Sequence, residues 1–131
     1  MKKISIYVLV ILVIVLISCQ TTVKDIPPNL SPAEFFQKAQ DASENGNYTL
    51  SMEYYRTFQK RFPDNFEKNL WASYEIAFLY HKMGKDKTAI KLFNELLNKY
   101  ATQGKKDWPV APKILAQKIR DELIKKENKK K

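Results

Sequence analysis

The residue types on which metal sites and covalent catalysis depend are nearly missing from this chain. It has one histidine, His81, and one cysteine, Cys19. No second histidine or thiol is therefore at hand to complete a metal-binding set or a pair of nucleophile and base. Three glycines among 131 residues exclude a glycine-rich loop that cradles phosphate. The composition predicts a protein that is not an enzyme and that holds neither a metal nor a cofactor.

The single cysteine follows an N-terminal segment with the layout of an export signal. Two lysines precede an apolar run from Ile4 to Ile17. At 1.5 Å per residue this run covers about 21 Å, short of the roughly 30 Å of a bilayer core, which disfavours the alternative of a membrane-spanning anchor. The sequence Leu16-Ile17-Ser18-Cys19 resembles the bacterial lipobox. We therefore expect residues 1–18 to be a signal peptide and Cys19 to carry a covalent lipid such as palmitate.

The segments that flank the predicted domain are polar or basic. Residues 19–30 contain Pro27 and Pro28 and show no helical period, which predicts a flexible tether that reaches at most about 40 Å. The folded domain is expected at 31–127, followed by a basic tail at 128–131. Positive charge accumulates towards this tail, which fits either a solvated helix end or a contact with anionic lipid or acidic protein. A nucleic-acid partner is not expected for an exported protein.

From Ser31 onwards the apolar residues recur at helical spacing, and no alternating strand pattern interrupts them. Ser31-Pro32-Ala33-Glu34 has the sequence of a capping box with proline at the first helical position. Five helices are predicted, at about 32–45, 49–62, 67–83, 87–100 and 110–127. The sequence therefore predicts an all-α fold.

Two of the predicted helix pairs follow one template. Gly46 and Gly84, thirty-eight residues apart, each end one helix and precede the next. Aligned on these glycines, small and large residues match as Ala39 with Ala77, Ala42 with Tyr80, Ser51 with Ala89, Tyr55 with Phe93, and Phe58 with Leu96. The pattern resembles the 34-residue tetratricopeptide repeat with a longer turn between repeats. The resemblance implies two helical hairpins and a C-terminal capping helix; the alternative is an unrelated helical bundle. Ala101 departs from the pattern, because the resemblance implies a proline there.

An aromatic stripe on the third predicted helix is the candidate binding surface. In tetratricopeptide repeats the first helix of each hairpin lines a concave groove that receives peptides, and rigid aromatic side chains suit such a groove. The residues at these positions are Trp71, Tyr74, Phe78 and His81, with Phe36 and Gln40 as their equivalents in the first helix. The other interpretation is that the stripe belongs to the core, covered by the first and fifth helices. The acidic residues are scattered over polar faces, and the pattern predicts no converging pair.

A lipobox, a proline-containing tether and repeats with long turns together resemble the BamD family of outer-membrane assembly lipoproteins. The similar segment runs from Ser31 to Tyr100 and includes Gly46-Asn47-Tyr48 and Arg61-Phe62-Pro63. The resemblance implies a shortened adaptor in the periplasm, anchored to the outer membrane. Its implied partners are a BamA-like barrel assembly protein and unfolded outer-membrane proteins. The alternative is an oligomerising envelope scaffold of the YbgF type, linked to cell division or the cell wall.

Overall fold

Five antiparallel helices make up the computed structural model, which describes residues 26–129. The helices are α1 (Pro32–Glu44), α2 (Tyr48–Arg61), α3 (Phe66–Lys82), α4 (Asp86–Gln103) and α5 (Val110–Asn128). No strand occurs in this part of the chain, so the predicted all-α fold is confirmed. The predicted signal peptide, Cys19 and the first part of the tether lie outside the described residues. Among the helices that are described, none is long and apolar enough to cross a bilayer.

The helix ends follow from local side-chain chemistry. The Ser31 hydroxyl accepts from the Glu34 amide at 3.3 Å, and the Glu34 carboxylate accepts from the Ser31 amide at 2.7 Å, as the predicted capping box requires. The side-chain oxygens of Asn47 and Asn65 cap α2 and α3 by accepting from the amides of Leu50 and Lys68, each at 3.2 Å, without a return bond. Helix α4 extends three residues beyond its predicted end at Tyr100, because Ala101 stands where a proline would have stopped it.

The turns within the two hairpins have the same geometry. Gly46 and Gly84 have φ angles of 74° and 73°, in the left-handed region that glycine enters without steric cost. The next amide in each turn donates back five residues, from Asn47 to the Ala42 carbonyl at 2.8 Å and from Lys85 to the Tyr80 carbonyl at 2.9 Å. This arrangement is a Schellman ending, so the glycine alignment identified two structurally equivalent turns.

Burial follows the repeat alignment as well. The residues at the matched positions of the hairpins α1–α2 and α3–α4 are buried, apart from Tyr80, which is half-buried. Small residues occupy the sites where the paired helices approach closely, and a large aromatic fills the space beside each one. The fully or almost fully buried pairs are Ala39 with Ala77, Ser51 with Ala89, Tyr55 with Phe93, and Phe58 with Leu96. The predicted helical hairpins are thus confirmed.

Helix α3 lies at the centre of the stack and contributes to two hydrophobic clusters. One face, with Ala72, Ile76 and Leu79, packs against α2 in a cluster that also includes residues of α1. Another face, with Leu70 and Ala77, packs against α4 and α5. Helix α3 is therefore apolar on more than one side, whereas α5, which closes the stack, leaves Val110 and Ile114 each 59% exposed.

The five residues that precede Ser31 pack against the first hairpin. The Arg61 guanidinium donates to the carbonyls of Pro27 at 2.6 Å, Pro28 at 3.2 Å and Ile26 at 3.3 Å. Its carbon also lies 5.3 Å from the centre of the Phe35 ring. The segment expected to be flexible over residues 19–30 is thus held to the domain from Ile26 onwards, because one arginine at the end of α2 satisfies three carbonyls that no helix would satisfy.

Candidate functional site: a cleft between α1 and α3

The candidate site lies between α1 and α3, which both pack on α2 and have almost no direct contact with each other. Two adjoining hollows, of about 320 and 290 Å³, share Gln40 and Glu75 and form one depression. We call it the α1–α3 cleft. Its remaining lining residues are Phe36, Ser43, Glu44, Ser51, Tyr55, Glu67, Lys68, Trp71 and Lys82.

Two larger hollows, of about 490 and 380 Å³, lie on other faces of the molecule. The first lies between the start of α4 and the end of α5, among Lys85, Lys87 and Lys126. In the second, the Arg56 guanidinium donates to the Tyr80 hydroxyl at 2.9 Å. The α1–α3 cleft is the candidate site because three of the residues predicted from the sequence, Phe36, Gln40 and Trp71, line it beside a half-buried carboxylate.

Aromatic rings form one end of the cleft. The Phe36 ring packs edge-on against Tyr55 and Phe58, with ring centres 5.2 Å apart in both cases. The Lys68 ammonium lies 4.8 Å from the centre of the Phe36 ring, within cation–π range. Trp71 is half-buried on the opposite wall and meets Tyr74 edge-on at 6.0 Å. These rings are held by neighbouring side chains, so a ligand would meet a preformed apolar surface.

Glu75 stands where the two hollows meet. It is half-buried, and it forms no ion pair among residues 26–129: the ion pairs of this part of the chain all involve other residues. Burial raises the pKa of its carboxyl above the ordinary value, and the Lys82 charge partly opposes this rise. Burial, with a smaller contribution from Glu75, also raises the pKa of Tyr74 to about 12. The centre of the cleft is therefore a poorly solvated acidic position.

At the other end of the cleft, Lys82 connects the two helices and Ser51 lies at the bottom of the hollow. The Lys82 ammonium donates to the Ser43 hydroxyl at 2.9 Å and lies 4.9 Å from the centre of the Tyr48 ring, which ties α3 to α1. The Ser51 hydroxyl is fully buried and has no hydrogen-bond partner among residues 26–129. An unpaired buried hydroxyl costs free energy, and this one lies beneath the surface of the hollow.

The structure separates the predicted aromatic stripe into two groups. Phe36, Gln40 and Trp71 line the cleft. Tyr74 is 6% exposed and packs against Phe93 of α4, so it belongs to the second hydrophobic cluster. Phe78 is half-buried, stacks on Tyr74 and packs against the same cluster.

His81, the last member of the stripe, is used in a contact between helices. Its Nδ1 lies 2.7 Å from Asp86 Oδ1, and the Lys126 ammonium lies 3.3 Å from the other oxygen of the same carboxylate. The hydrogen bond with His81 is the main reason that the pKa of Asp86 is lowered. This arrangement joins the α3–α4 turn to the last turns of α5, and it leaves His81 outside the cleft lining.

The sequence contains a signal for Glu75 that the aromatic pattern alone does not use. Trp71, Glu75, Phe78 and Lys82 are spaced four, three and four residues apart, which places them along one face of a helix. Glu75 lies between two aromatic residues of this face, and such a position indicates a carboxylate that becomes partly buried on folding. Within residues 26–129, no group of three histidine, cysteine or acidic side chains is arranged to hold a metal ion.

Comparisons with known proteins agree with the repeat geometry. A tetratricopeptide repeat family model matches residues 71–102, which comprise most of α3 and nearly all of α4. An uncharacterized protein of Treponema pallidum (strain Nichols) is 31% identical over 98 residues, which cover 73% of this chain and 39% of the relative. The chain thus spans well under half of that relative's length. No solved structure matches the chain.

Proposed function

We propose that this chain, whose second hairpin is a tetratricopeptide repeat, is a non-enzymatic adaptor that is anchored to an envelope membrane and binds segments of other proteins in the α1–α3 cleft. The repeat supports a role in protein–protein interaction in general, since stacked helical hairpins create extended concave surfaces. The observation that carries the specific proposal is the cleft itself, where Phe36 and Trp71 line one hollow together with the half-buried Glu75.

Anchoring through Cys19 is supported by the lipobox and by the way in which the domain holds its N-terminal segment. Because Arg61 holds the chain from Ile26 onwards, only residues 19–25 would remain as free tether, and these reach at most about 25 Å. Two or three acyl chains would make attachment effectively permanent, since each buried CH₂ contributes about 0.8 kcal/mol. The domain would then work close to the membrane, with its α1–α2 end nearest the lipid.

Within this class, we propose an accessory subunit of the machinery that assembles outer-membrane β-barrels. The support is the resemblance of the segment from Ser31 to Tyr100 to the BamD family, together with a cleft suited to a polypeptide segment. Gln20, which follows the lipid-bearing cysteine, is not the aspartate that retains lipoproteins at the inner membrane of enteric bacteria, which favours the outer membrane. A BamA-like barrel protein and unfolded outer-membrane proteins are the partners that this role requires.

The second candidate function is an oligomerising envelope scaffold. It is favoured by the exposed Val110 and Ile114 on α5, because the last helix of a stack needs a cover on its outer face unless that face is polar. A scaffold would use this face to contact a further copy or a cell-wall factor.

Purification in mild detergent tests these functions against each other. Recovery of a BamA-like protein supports the assembly role, and recovery of only the protein itself or of cell-wall factors supports the scaffold. Depletion of the protein should lower the amounts of outer-membrane β-barrels if the assembly role holds. Mass spectrometry of the mature N-terminus tests the anchor: an unacylated Cys19, or a mature chain that starts elsewhere, would refute it.

A further inference from the structure

We infer that Glu75 makes the α1–α3 cleft selective for a polypeptide segment that carries a lysine or arginine beside apolar residues. The inference deepens the proposed function and rests on the cleft being its binding site. The occupant is thus a partner segment with one basic side chain directed at Glu75 and apolar side chains against Phe36 and Trp71.

The first argument is the charge that the fold leaves unneutralised. The two lysines that line the cleft are both engaged: Lys82 donates to Ser43, and Lys68 lies over the Phe36 ring. Glu75 has no such partner among residues 26–129. A desolvated carboxylate without a cation is costly to maintain. A ligand cation would offset this cost, whereas a ligand carboxylate would increase it.

The second argument is the location of the acid relative to the rest of the surface. The chain carries a formal net charge of +9, and a strongly basic protein disfavours basic partners over most of its surface. The cleft is an exception, because Glu44, Glu67 and Glu75 line it together with only two lysines. Electrostatic complementarity of this kind determines which partner binds and in which register more than it increases affinity.

The third argument is the combination of groups around Glu75. Phe36 and Trp71 present aromatic surface at one side, which suits either the apolar neighbours or the alkyl stem of a long cationic side chain. On the other side the exposed Gln40 amide borders both hollows. This amide can bind the main chain of an extended segment, so the site would read one charge within an otherwise apolar stretch.

The experiment is a display selection with a library of random twelve-residue peptides, carried out on the mature full-length protein in detergent. We expect the wild-type pool to be enriched in lysine or arginine at one position flanked by apolar residues. Glu75→Gln should keep the apolar preference and lose the basic one. For a peptide from the wild-type pool, replacing the basic residue with glutamine should weaken binding to the wild type by about tenfold, as expected for a charge-assisted hydrogen bond, and leave binding to the variant unchanged.

Two further variants separate the possible outcomes. Glu122→Gln removes an exposed acid on α5, away from the cleft lining, and should preserve the basic preference. Trp71→Ala should reduce binding of every selected peptide. If the pools are apolar but show no basic preference, the role of Glu75 is refuted and the adaptor cleft stands. If no pool is enriched, or if Trp71→Ala leaves binding unchanged, both the role of Glu75 and the cleft as a binding site are refuted. Thermal unfolding of each variant verifies that it is folded.

Discussion

Trp71 and Tyr74 are neighbours on one helix, and the structure gives them opposite roles. Tyr74 is 6% exposed and packs against Phe93, whereas Trp71 is half-buried and lines the α1–α3 cleft. Substituting each with alanine should therefore separate stability from binding. Tyr74→Ala is expected to damage the fold, and Trp71→Ala is expected to damage ligand binding.

The expected magnitudes follow from burial. Removing a buried aromatic side chain costs about 3–5 kcal/mol, and we expect a value in this range for Tyr74 because it is 6% exposed. Removing the half-buried Trp71 should cost about 1–2 kcal/mol, since only part of its apolar area leaves water on folding. For a domain of this size, each kcal/mol corresponds to roughly 4–8 °C in Tm. Tyr74→Ala should thus lower Tm by about 12–40 °C, and Trp71→Ala by about 4–16 °C, with the same factor applied to both variants.

The assay is thermal unfolding followed by circular dichroism at 222 nm, in parallel with peptide binding measured by fluorescence anisotropy. Tyr74→Phe is the matched control, because it keeps the ring and should leave both readings near those of the wild type. If Trp71→Ala destabilises the protein as much as Tyr74→Ala, Trp71 is a core residue and the cleft is not a binding surface. If Tyr74→Ala is tolerated, the assignment of Tyr74 to the second cluster is wrong.

Three further predictions concern other parts of the structure. Glu75→Gln should raise Tm near neutral pH. Burial raises the pKa of the Glu75 carboxyl in the folded state above its ordinary value of 4.5. The stability that the protonated carboxyl provides is therefore present below pH 4.5 and is lost as the pH rises through the folded pKa. The gain should fade at acidic pH, and a gain independent of pH would contradict the burial argument. Arg61→Ala should free residues 26–30, which would be detected as faster amide hydrogen exchange from Leu30 and as new proteolytic cleavage in this segment. Lys60→Ala is the control. Unchanged exchange in Arg61→Ala would show that the three hydrogen bonds do not hold the segment. Gly84→Ala should cost about 1–2 kcal/mol because its φ of 73° is strained for any residue with a Cβ. A denaturant titration that shows no loss of stability would disprove the strain assigned to this turn.

Local chemistry made most of the fold predictable. The capping box at Ser31, the glycines at the two hairpin turns and the 3.6-residue spacing of apolar side chains act over one or two helical turns, so they can be recognised without knowledge of the tertiary structure. The repeat added the pairing of helices, because two hairpins on one template bury equivalent positions. The predicted helix boundaries are accordingly correct to within one residue, except at the end of α4.

The candidate site was predictable only in part. Phe36, Gln40 and Trp71 were identified from the repeat pattern and do line the cleft. The same pattern grouped Tyr74 with them, since a helical face does not reveal which neighbour covers it. The prediction that residues 19–30 are flexible also did not anticipate Arg61, whose hydrogen bonds span more than thirty positions of sequence.

The sequence by itself determined the helices, their ends and the existence of two equivalent hairpins, because these depend on interactions between residues close along the chain. Tertiary structure alone decided which side of α3 is core and which is cleft, since that depends on where α1 and α5 lie against it. It also decided that Glu75 becomes half-buried without forming an ion pair among residues 26–129. Desolvation is a property of the space around a side chain, and that space is formed by helices distant in the sequence.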